Sequence, residues 1–548
     1  MTQYKFPYCD CCFPMEDGKI QFDPRMENIP LDCKLTWDLI SNGDTKGIFQ
    51  LDSNLGRMLS KKLRPENIEH LSALMAIMRP GCLESMHKGK SITNHYIDRK
   101  NGEEAVEYFH PALEPILQET YGMLCYQEQS MKIVQQIAGF NLEDADSLRK
   151  AIGKKKTDIM AKVKTQFMEG CKTLGRVDNE TAEQIFSWIE KSQRYQFNKS
   201  HSISYAINGY LSAYAKAHFP KEFFTSYLHY SKEKQKPQEE IKELVNNART
   251  SDIDVFPPDF RQLNGQFKLI DDRICFGLEN IKGIGGSVVS SIDSTIEGVE
   301  KTLGKKRGEW GWMEFLMFFA PKVNKTAVRA LIAAGALSYI DITRRKMLLD
   351  YDTYMQLTKN EQAKAQTHYL DNGTRWESLS ELNSYILECH DTDNKIASNK
   401  NRISKIQGYL STLNNPPYSL DDTLEWVAGI EKSLMGTSIT CAAIDASDVG
   451  RATVVCRELV LGTYSDSFVL AATIEEVREI QTKKGKNPGQ KMAFVTASDH
   501  SGLVESLIAF PNVWDEYSQL IVKDMNLLLY LKKGNQPDSY IINKVESI

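Results

Sequence analysis

The stretch Ile281-Lys282-Gly283-Ile284-Gly285-Gly286 decides the fold class of the region around it. Two glycines two residues apart, set among apolar residues ahead of a helix-prone run, form a helix–hairpin–helix signature. Glycine admits backbone conformations closed to other residues, so hairpin amides can approach phosphates closely without reading base sequence. Lys282, Gly283 and Gly285 are therefore expected to contact DNA. A plain glycine-rich turn between helices is the competing reading. Lys305, Lys306 and Arg307 follow shortly. The unit opens at Val255-Phe256-Pro257-Pro258-Asp259 and runs to about Leu337.

Toward the C-terminus, residues 340–420 are polar, helix-prone and weakly patterned, and Asp391-Thr392-Asp393 reads as a solvated helix face. From about residue 465 the character changes. Val477 to Gln481, Met492 to Ala497, Val504 to Phe510 and Met525 to Leu531 show the β-branched content and alternation of strands. Turn residues separate them at Lys484-Gly485-Lys486, Asp499 to Gly502 and Lys533-Gly534-Asn535. Short strands with turns between them predict a small barrel, an OB-fold. Lys483, Lys484 and Lys486 would track a single strand electrostatically. Phe494 either stacks on a base or faces the barrel core.

Toward the N-terminus, residues 46–230 are mostly helical. An apolar run from Leu71 to Met78 stops at Arg79-Pro80-Gly81. Gln127 to Phe140 is amphipathic, and Glu143 and Asp144 open the next helix with acid at its positive end. Thr181 to Lys191 and the Tyr-rich run Ser204 to Phe219 are further helices, with Ser202 or Ser200 as the cap of the second. Three clusters stand out: Tyr121 to Gln129, Leu148 to Lys156, and Phe197-Asn198-Lys199-Ser200-His201-Ser202. In the second, five cations fall within eight residues, at a helix end broken by Gly153. Arg149 and Lys150 sit among apolar Leu148, Ala151 and Ile152, which suits a triphosphate or a nucleic-acid backbone. Lys154, Lys155 and Lys156 are placed on DNA, with a solvated lysine run as the alternative. The third cluster offers donors at a helix start, where free backbone N–H groups bind anions.

Composition bounds the rest. The chain has 548 residues, 41% of them apolar and 25% charged, with a net charge of -5. At about 150 residues per domain this predicts three or four domains. No apolar run approaches the roughly 20 residues that span a bilayer. The first residues lack the basic-then-apolar plan of a signal peptide, and a cytoplasmic location without membrane contact is expected. Eleven scattered cysteines argue against a disulfide framework. Cys9-x-x-Cys12 is half a zinc knuckle without a second pair, so a turn with free thiols in a strand pair is expected rather than zinc.

These pieces, in this order, resemble the alpha subunit of bacterial DNA polymerase III, the C family. The resemblance rests on Gly47 to Ser53, Met78 to Gly81, Tyr96 to Gly102, Tyr121 to Gln129, Arg149 to Lys156, Phe197 to Ser202, Lys216 to Phe223, Phe256 to Asp259 and Gly277 to Gly285. It is dense over 46–290, and the barrel's place after the hairpin region looks like the family's shorter branch. It implies a multidomain, mainly α protein with a C-terminal β-barrel. Residues 1–45 would be a palm-proximal lead-in, 46–230 fingers, 231–340 the helix–hairpin–helix region, 341–464 a helical connector and 465–548 an OB-fold. It further implies that Arg149, Lys150, Lys199, Ser200 and His201 bind the incoming dNTP, with Arg79, Tyr126, Gln127 and Gln129 as pocket support.

One departure matters. Family members hold two Mg²⁺ ions on palm aspartates in an Asp-x-Asp pattern upstream of the Gly47-Ile48-Phe49-Gln50 segment. Asp144/Asp146, Asp252/Asp254 and Asp391/Asp393 do not match that position. The expected function is that of a fingers and DNA-binding subunit whose catalytic aspartates, and with them most of the Mg²⁺ coordination, come from another, palm-containing chain, as in a phage-type split polymerase. The expected partners are primer–template DNA, dNTP, that chain and, as a candidate without a clear binding peptide, a sliding clamp. The alternative is a non-catalytic DNA-binding or assembly protein derived from such a subunit.

Overall fold

A computed structural model describes residues 15–16, 19–20, 25–154, 157–192, 195–373, 375–392, 400–462, 467–482, 488–534 and 539–548, with backbone alone at 15–16, 19–20, 26, 151–154, 157–159, 391–392 and 506. Cys9, Cys12, Lys155, Lys156, Asp393, Lys483, Lys484 and Lys486 lie outside the described residues, as does the side chain of Lys154. The chain divides into two compact units, Met1–Phe223 and Phe224–Ile548.

The first unit is helical. Its centre is Ile68–Ile77, in which every residue from Leu71 to Ile77 is buried. A helix apolar on all sides is a core helix rather than an amphipathic one. It packs on Lys199–His218 through Ala206, Tyr210, Ala213 and Tyr214. The chain breaks at Arg79 as expected, but Pro80 then opens the short helix Pro80–Glu84, where its missing N–H costs nothing. A second core gathers Gln127–Ala138, Thr157–Leu174 and Asn179–Ser192 around Ile133, Val134, Ile137, Phe167, Phe186 and Ile189. The helix Leu142–Lys154 ends one residue past Gly153, close to the expected break. Met15–Glu16 and Lys19–Ile20 pair antiparallel, a strand pair at the expected place.

The second unit takes in the end of the helix Pro220–Tyr230, then Pro237–Thr250 and a three-stranded sheet in the order Val255–Phe256, Arg273–Cys275, Lys268–Ile270. Phe260, Trp310, Phe315 and Phe319 form its aromatic core. Residues 344–435 add five helices among the described residues. Buried Glu431 ties the first of these helices to the last and to the segment after it: it accepts from Arg344 at 2.8 Å and from the amides of Ile439 and Thr440.

The C-terminal strands are β1 (Phe468–Gln481), β2 (Lys491–Asp499), β3 (Gly502–Ala509), β4 (Asn526–Lys533) and β5 (Tyr540–Ser547), closed into a barrel in the order β3-β5-β4-β1-β2. Sequence patterning finds four of the five. The first half of β1 is buried almost continuously, so it lacks alternation. In β5 the polar Asn543 and Lys544 interrupt the apolar pattern. Along β2, Ala493, Val495 and Ala497 point into the core while Phe494 is half-exposed under Arg478, 5.3 Å from its ring centroid. Phe494 therefore faces outward.

Candidate functional site

Three segments distant in sequence meet at the start of the helix Lys199–His218. Phe197 forms a parallel bridge with Tyr126, its N–H donating to Cys125 O (3.0 Å) and its carbonyl accepting from Gln127 N (2.9 Å). The Arg79 guanidinium lies 3.6 Å from the Phe197 ring centroid, a cation–π contact. Gln129 is buried, and its Oε1 accepts from the amides of both Cys125 and Tyr126 at 3.0 Å, while its Nε2 donates to Thr120 Oγ1. It is a clasp that fixes the turn before the helix Gln127–Ala138. The Tyr126 hydroxyl is buried in a hydrogen bond with the Ser72 hydroxyl at 3.1 Å, and burial pushes its pKa up, so it stays neutral.

The helix starts at Lys199 rather than Ser204, and its cap is Asn198, whose Oδ1 accepts from His201 N at 2.8 Å. This corrects the assignment of the cap to Ser202 or Ser200. Ser202 is one turn too far in, buried and donating to Ser72 O at 2.5 Å, and Ser200 is exposed. Lys199 pairs with Glu119 at 2.6 Å, and its amide donates to Glu128 at 2.9 Å. His201 is exposed between Phe197 and Tyr205, at ring distances of 5.4 and 4.2 Å. Thus Arg79, Tyr126, Gln127, Gln129, Lys199 and His201 share one locus, with Ser200 beside them on the solvent side.

Arg149 and Lys150 stand on the helix Leu142–Lys154, and both grip Asp146, at 2.7 and 2.8 Å. The two cations, Lys150 first, hold the Asp146 carboxyl below its ordinary range. All three groups face solvent, so this is an exposed pair of cations with one resident carboxylate. Among the described residues, neither cation pairs with a member of the Arg79–Lys199 locus. Sequence reading missed Glu119, Glu128 and Asp146, the carboxylates that position these cations, and also Phe49 and Tyr205, whose rings continue the locus. Acid three or four residues before Arg149 and Lys150 was a readable signal; Phe49 and Tyr205 had none beyond residue type.

In the second unit, Gly283 has φ +93, and a Cβ there would meet Thr326 Cγ2 at 2.9 Å, so only glycine fits without movement. Gly285 caps the helix Gly286–Leu303 with open space around it. Lys282 is exposed, and its amide donates to Leu434 O. By contrast, Lys305 and Lys306 pair with Glu314 and Glu300, and Arg307 donates to Arg261 O.

The candidate carboxylate pairs are engaged elsewhere. Asp146 holds two cations, and Asp252 pairs with Arg457 at 2.6 Å. Among the described residues, no group of three or more His, Cys, Asp and Glu is arranged to hold a metal ion, and these residues do not fit a two-metal site. Among the same residues no helix is long and apolar enough to cross a membrane.

Comparison with known proteins agrees with this architecture. Residues 15–175 match the bacterial DNA polymerase III alpha subunit finger domain, and residues 252–347 match a helix-hairpin-helix motif. The chain is 32% identical over 504 residues to DNA polymerase III subunit alpha of Aquifex aeolicus, covering 92% of this chain and 38% of the relative. It is 32% identical over 517 residues to the same subunit of Pseudomonas aeruginosa (90% and 40%), and 37% identical over 319 residues to that of Thermus aquaticus (57% and 24%). The chain thus spans two fifths or less of the length of these relatives. Its matched finger and helix-hairpin-helix segments are those of the C-terminal part of the bacterial DNA polymerase III alpha subunit, and in this chain a closed five-stranded barrel follows them.

Proposed function

We propose that this chain forms the nucleotide- and DNA-gripping part of a replicative DNA polymerase. It takes part in template-directed synthesis from dNTPs, with the metal-binding aspartates, and hence most of the Mg²⁺ coordination, contributed by a palm-containing partner chain. The observation that carries this reading is the convergence of Arg79, Tyr126 to Gln129 and Lys199 to His201 on one locus, with Arg79, Ser200 and His201 exposed over buried Tyr126 and Gln129, in a unit whose residues 15–175 match the finger domain. Arg149 and Lys150 supply positive charge that an incoming triphosphate competes for against Asp146. Charge-assisted bonds to phosphate are roughly twice as strong as neutral ones, and an exposed ion pair is worth only about 0–1 kcal/mol, so the exchange favours the nucleotide. The hairpin at Gly283–Gly285 offers its glycine backbone and the exposed Lys282 to duplex phosphates. The barrel offers its outer face, with Phe494 and Arg478, to a single strand.

The chemical step joins the primer 3′-oxygen to the α-phosphorus of the dNTP and releases pyrophosphate. The residues of this chain act in it by holding and orienting the nucleotide. A primer-extension assay tests the reading. The chain alone should give no product, and the chain mixed with a palm-containing polypeptide should extend the primer in Mg²⁺. No extension with any such polypeptide, despite DNA binding, would favour the non-catalytic assembly role.

A further inference from the structure

The second unit holds an open pocket of about 500 Å³, lined by the loop 338–343 and by the start of the helix Leu424–Met435. Much of the lining is apolar: Ile332, Leu337, Met347 and Val427 are buried there, and Ile340 and Ile342 are half-buried. Leu424, on the same lining, is 45% exposed, and Tyr418, shortly before it in the chain, is 43% exposed. Large apolar side chains left open beside a pocket of this size mark a surface that another molecule covers.

The walls are fixed in advance. Asp422 accepts from the amides of Arg344 at 2.7 Å and Arg345 at 3.1 Å, and Thr343 Oγ1 donates to Leu420 O at 2.6 Å. The Arg344 guanidinium, buried against Glu431, also donates to Thr440 Oγ1 at 3.1 Å. A preformed pocket spares its ligand the cost of ordering it. The charge around it is one-sided. Asp341 and Asp422 line it, and Asp421 and Glu425, next to Asp422 and Leu424 in the chain, are exposed. The nearby cations are engaged: Arg344 with Glu431, Lys346 with Asp350, and Arg345 over the rings of Tyr418 and Trp426 at 5.2 and 5.7 Å.

We infer that this pocket docks a basic, apolar segment of a partner protein, seating a leucine-sized side chain among Met347, Leu424 and Val427 and setting lysines or arginines against the carboxylates. The buried anchor supplies affinity, and the opposite charges steer the segment and reject acidic ones. Nucleic acid fits badly, because its phosphates would meet those carboxylates. A second copy of the chain fits no better, since at a net charge of -5 it would bring the same acidic rim to itself. The site lies wholly in the second unit and needs nothing from the nucleotide reading of the first.

The test uses the full chain and three fluorescein-labelled peptides of equal length. One alternates pairs of leucine and lysine; in the second every lysine is glutamate, and in the third every leucine is serine. By anisotropy the first should bind about tenfold more tightly than either counterpart. Leu424→Ala, which trims an exposed side chain, and Asp341→Lys, which reverses an exposed charge, should each weaken that binding about fivefold with the melting midpoint unchanged. Duplex DNA should bind Leu424→Ala as it binds the parent chain. Equal binding of the acidic or the serine peptide overturns the site, as does leucine–lysine binding that survives both substitutions. Loss of duplex affinity in Leu424→Ala would give the face to nucleic acid instead. Dimerisation seen by sedimentation velocity and abolished by Leu424→Ala would give it to a second copy, and either result overturns the inference.

Discussion

Gln129 shows how a residue can matter to a site without touching its ligand. Its carboxamide satisfies two buried amides, those of Cys125 and Tyr126, and spends a donor on Thr120. Removing it leaves two buried N–H groups unpaired, at about 1–3 kcal/mol each. Gln129→Ala should therefore lower the unfolding midpoint by several degrees in a thermal melt; an unchanged midpoint would mean that water replaces the clasp. Arg149 is the opposite case, exposed and spared by the core. With a palm-containing chain supplied, Arg149→Ala should raise the KM for dNTP or lower kcat, read by steady-state extension, without changing the melting midpoint. The cluster chemistry at Arg149 was legible because cations flanked by apolar residues are unusual, and that at Lys199 because donors gather at a helix start. Asp146 was within reach of the sequence, three and four residues before Arg149 and Lys150, whereas Glu119 was not, since it meets Lys199 across 80 residues of chain.

Among the elements, the barrel is fastened by Glu475 on β1, which accepts from Lys242 at 2.6 Å, Lys432 at 3.1 Å and Ser498 at 2.7 Å. Burial alone would raise its carboxyl, but the two lysines and the serine outweigh that and hold it at about 2 against an ordinary 4.5. A carboxyl held low in the folded state stabilises fully above about 4.5, and the contribution fades as pH falls toward 2. Glu475→Gln should thus cost on the order of 3 kcal/mol at neutral pH and little near pH 2. Urea titrations of both proteins across that range check this; a gap that stays constant with pH would refute it. Barrel strands were legible where burial alternates, as in β2, and hidden where one strand is buried nearly throughout, as in the first half of β1. Helix starts were misjudged where a cap is a side chain just outside the run, as with Asn198.

For the whole molecule, a net charge of -5 is compatible with the proposed DNA binding, because charge acts locally, and exposed Lys282 beside the open backbone at Gly285 offers a local cation on a mildly acidic protein. Duplex affinity should fall steeply with salt, and Lys282→Ala should weaken binding alike for all sequences and reduce the log–log salt slope by about 1. Fluorescence anisotropy over a salt series measures both; an unchanged slope would remove Lys282 from the interface. The order of units was legible because each has its own short signature, glycines for the hairpin and turn-separated strands for the barrel. The division at Phe223–Phe224 falls just inside the helix that Pro220 opens, so no breaker residue announces it. The central claim is that this chain holds the nucleotide while metals bound by another polypeptide do the joining. Primer extension with a palm-containing chain, with and without this one, tests it most directly. Mg²⁺-dependent product only when both are present, weakened by Arg149→Ala, is the predicted result; equal product from the palm-containing chain alone, or full activity with Arg149→Ala, would contradict it.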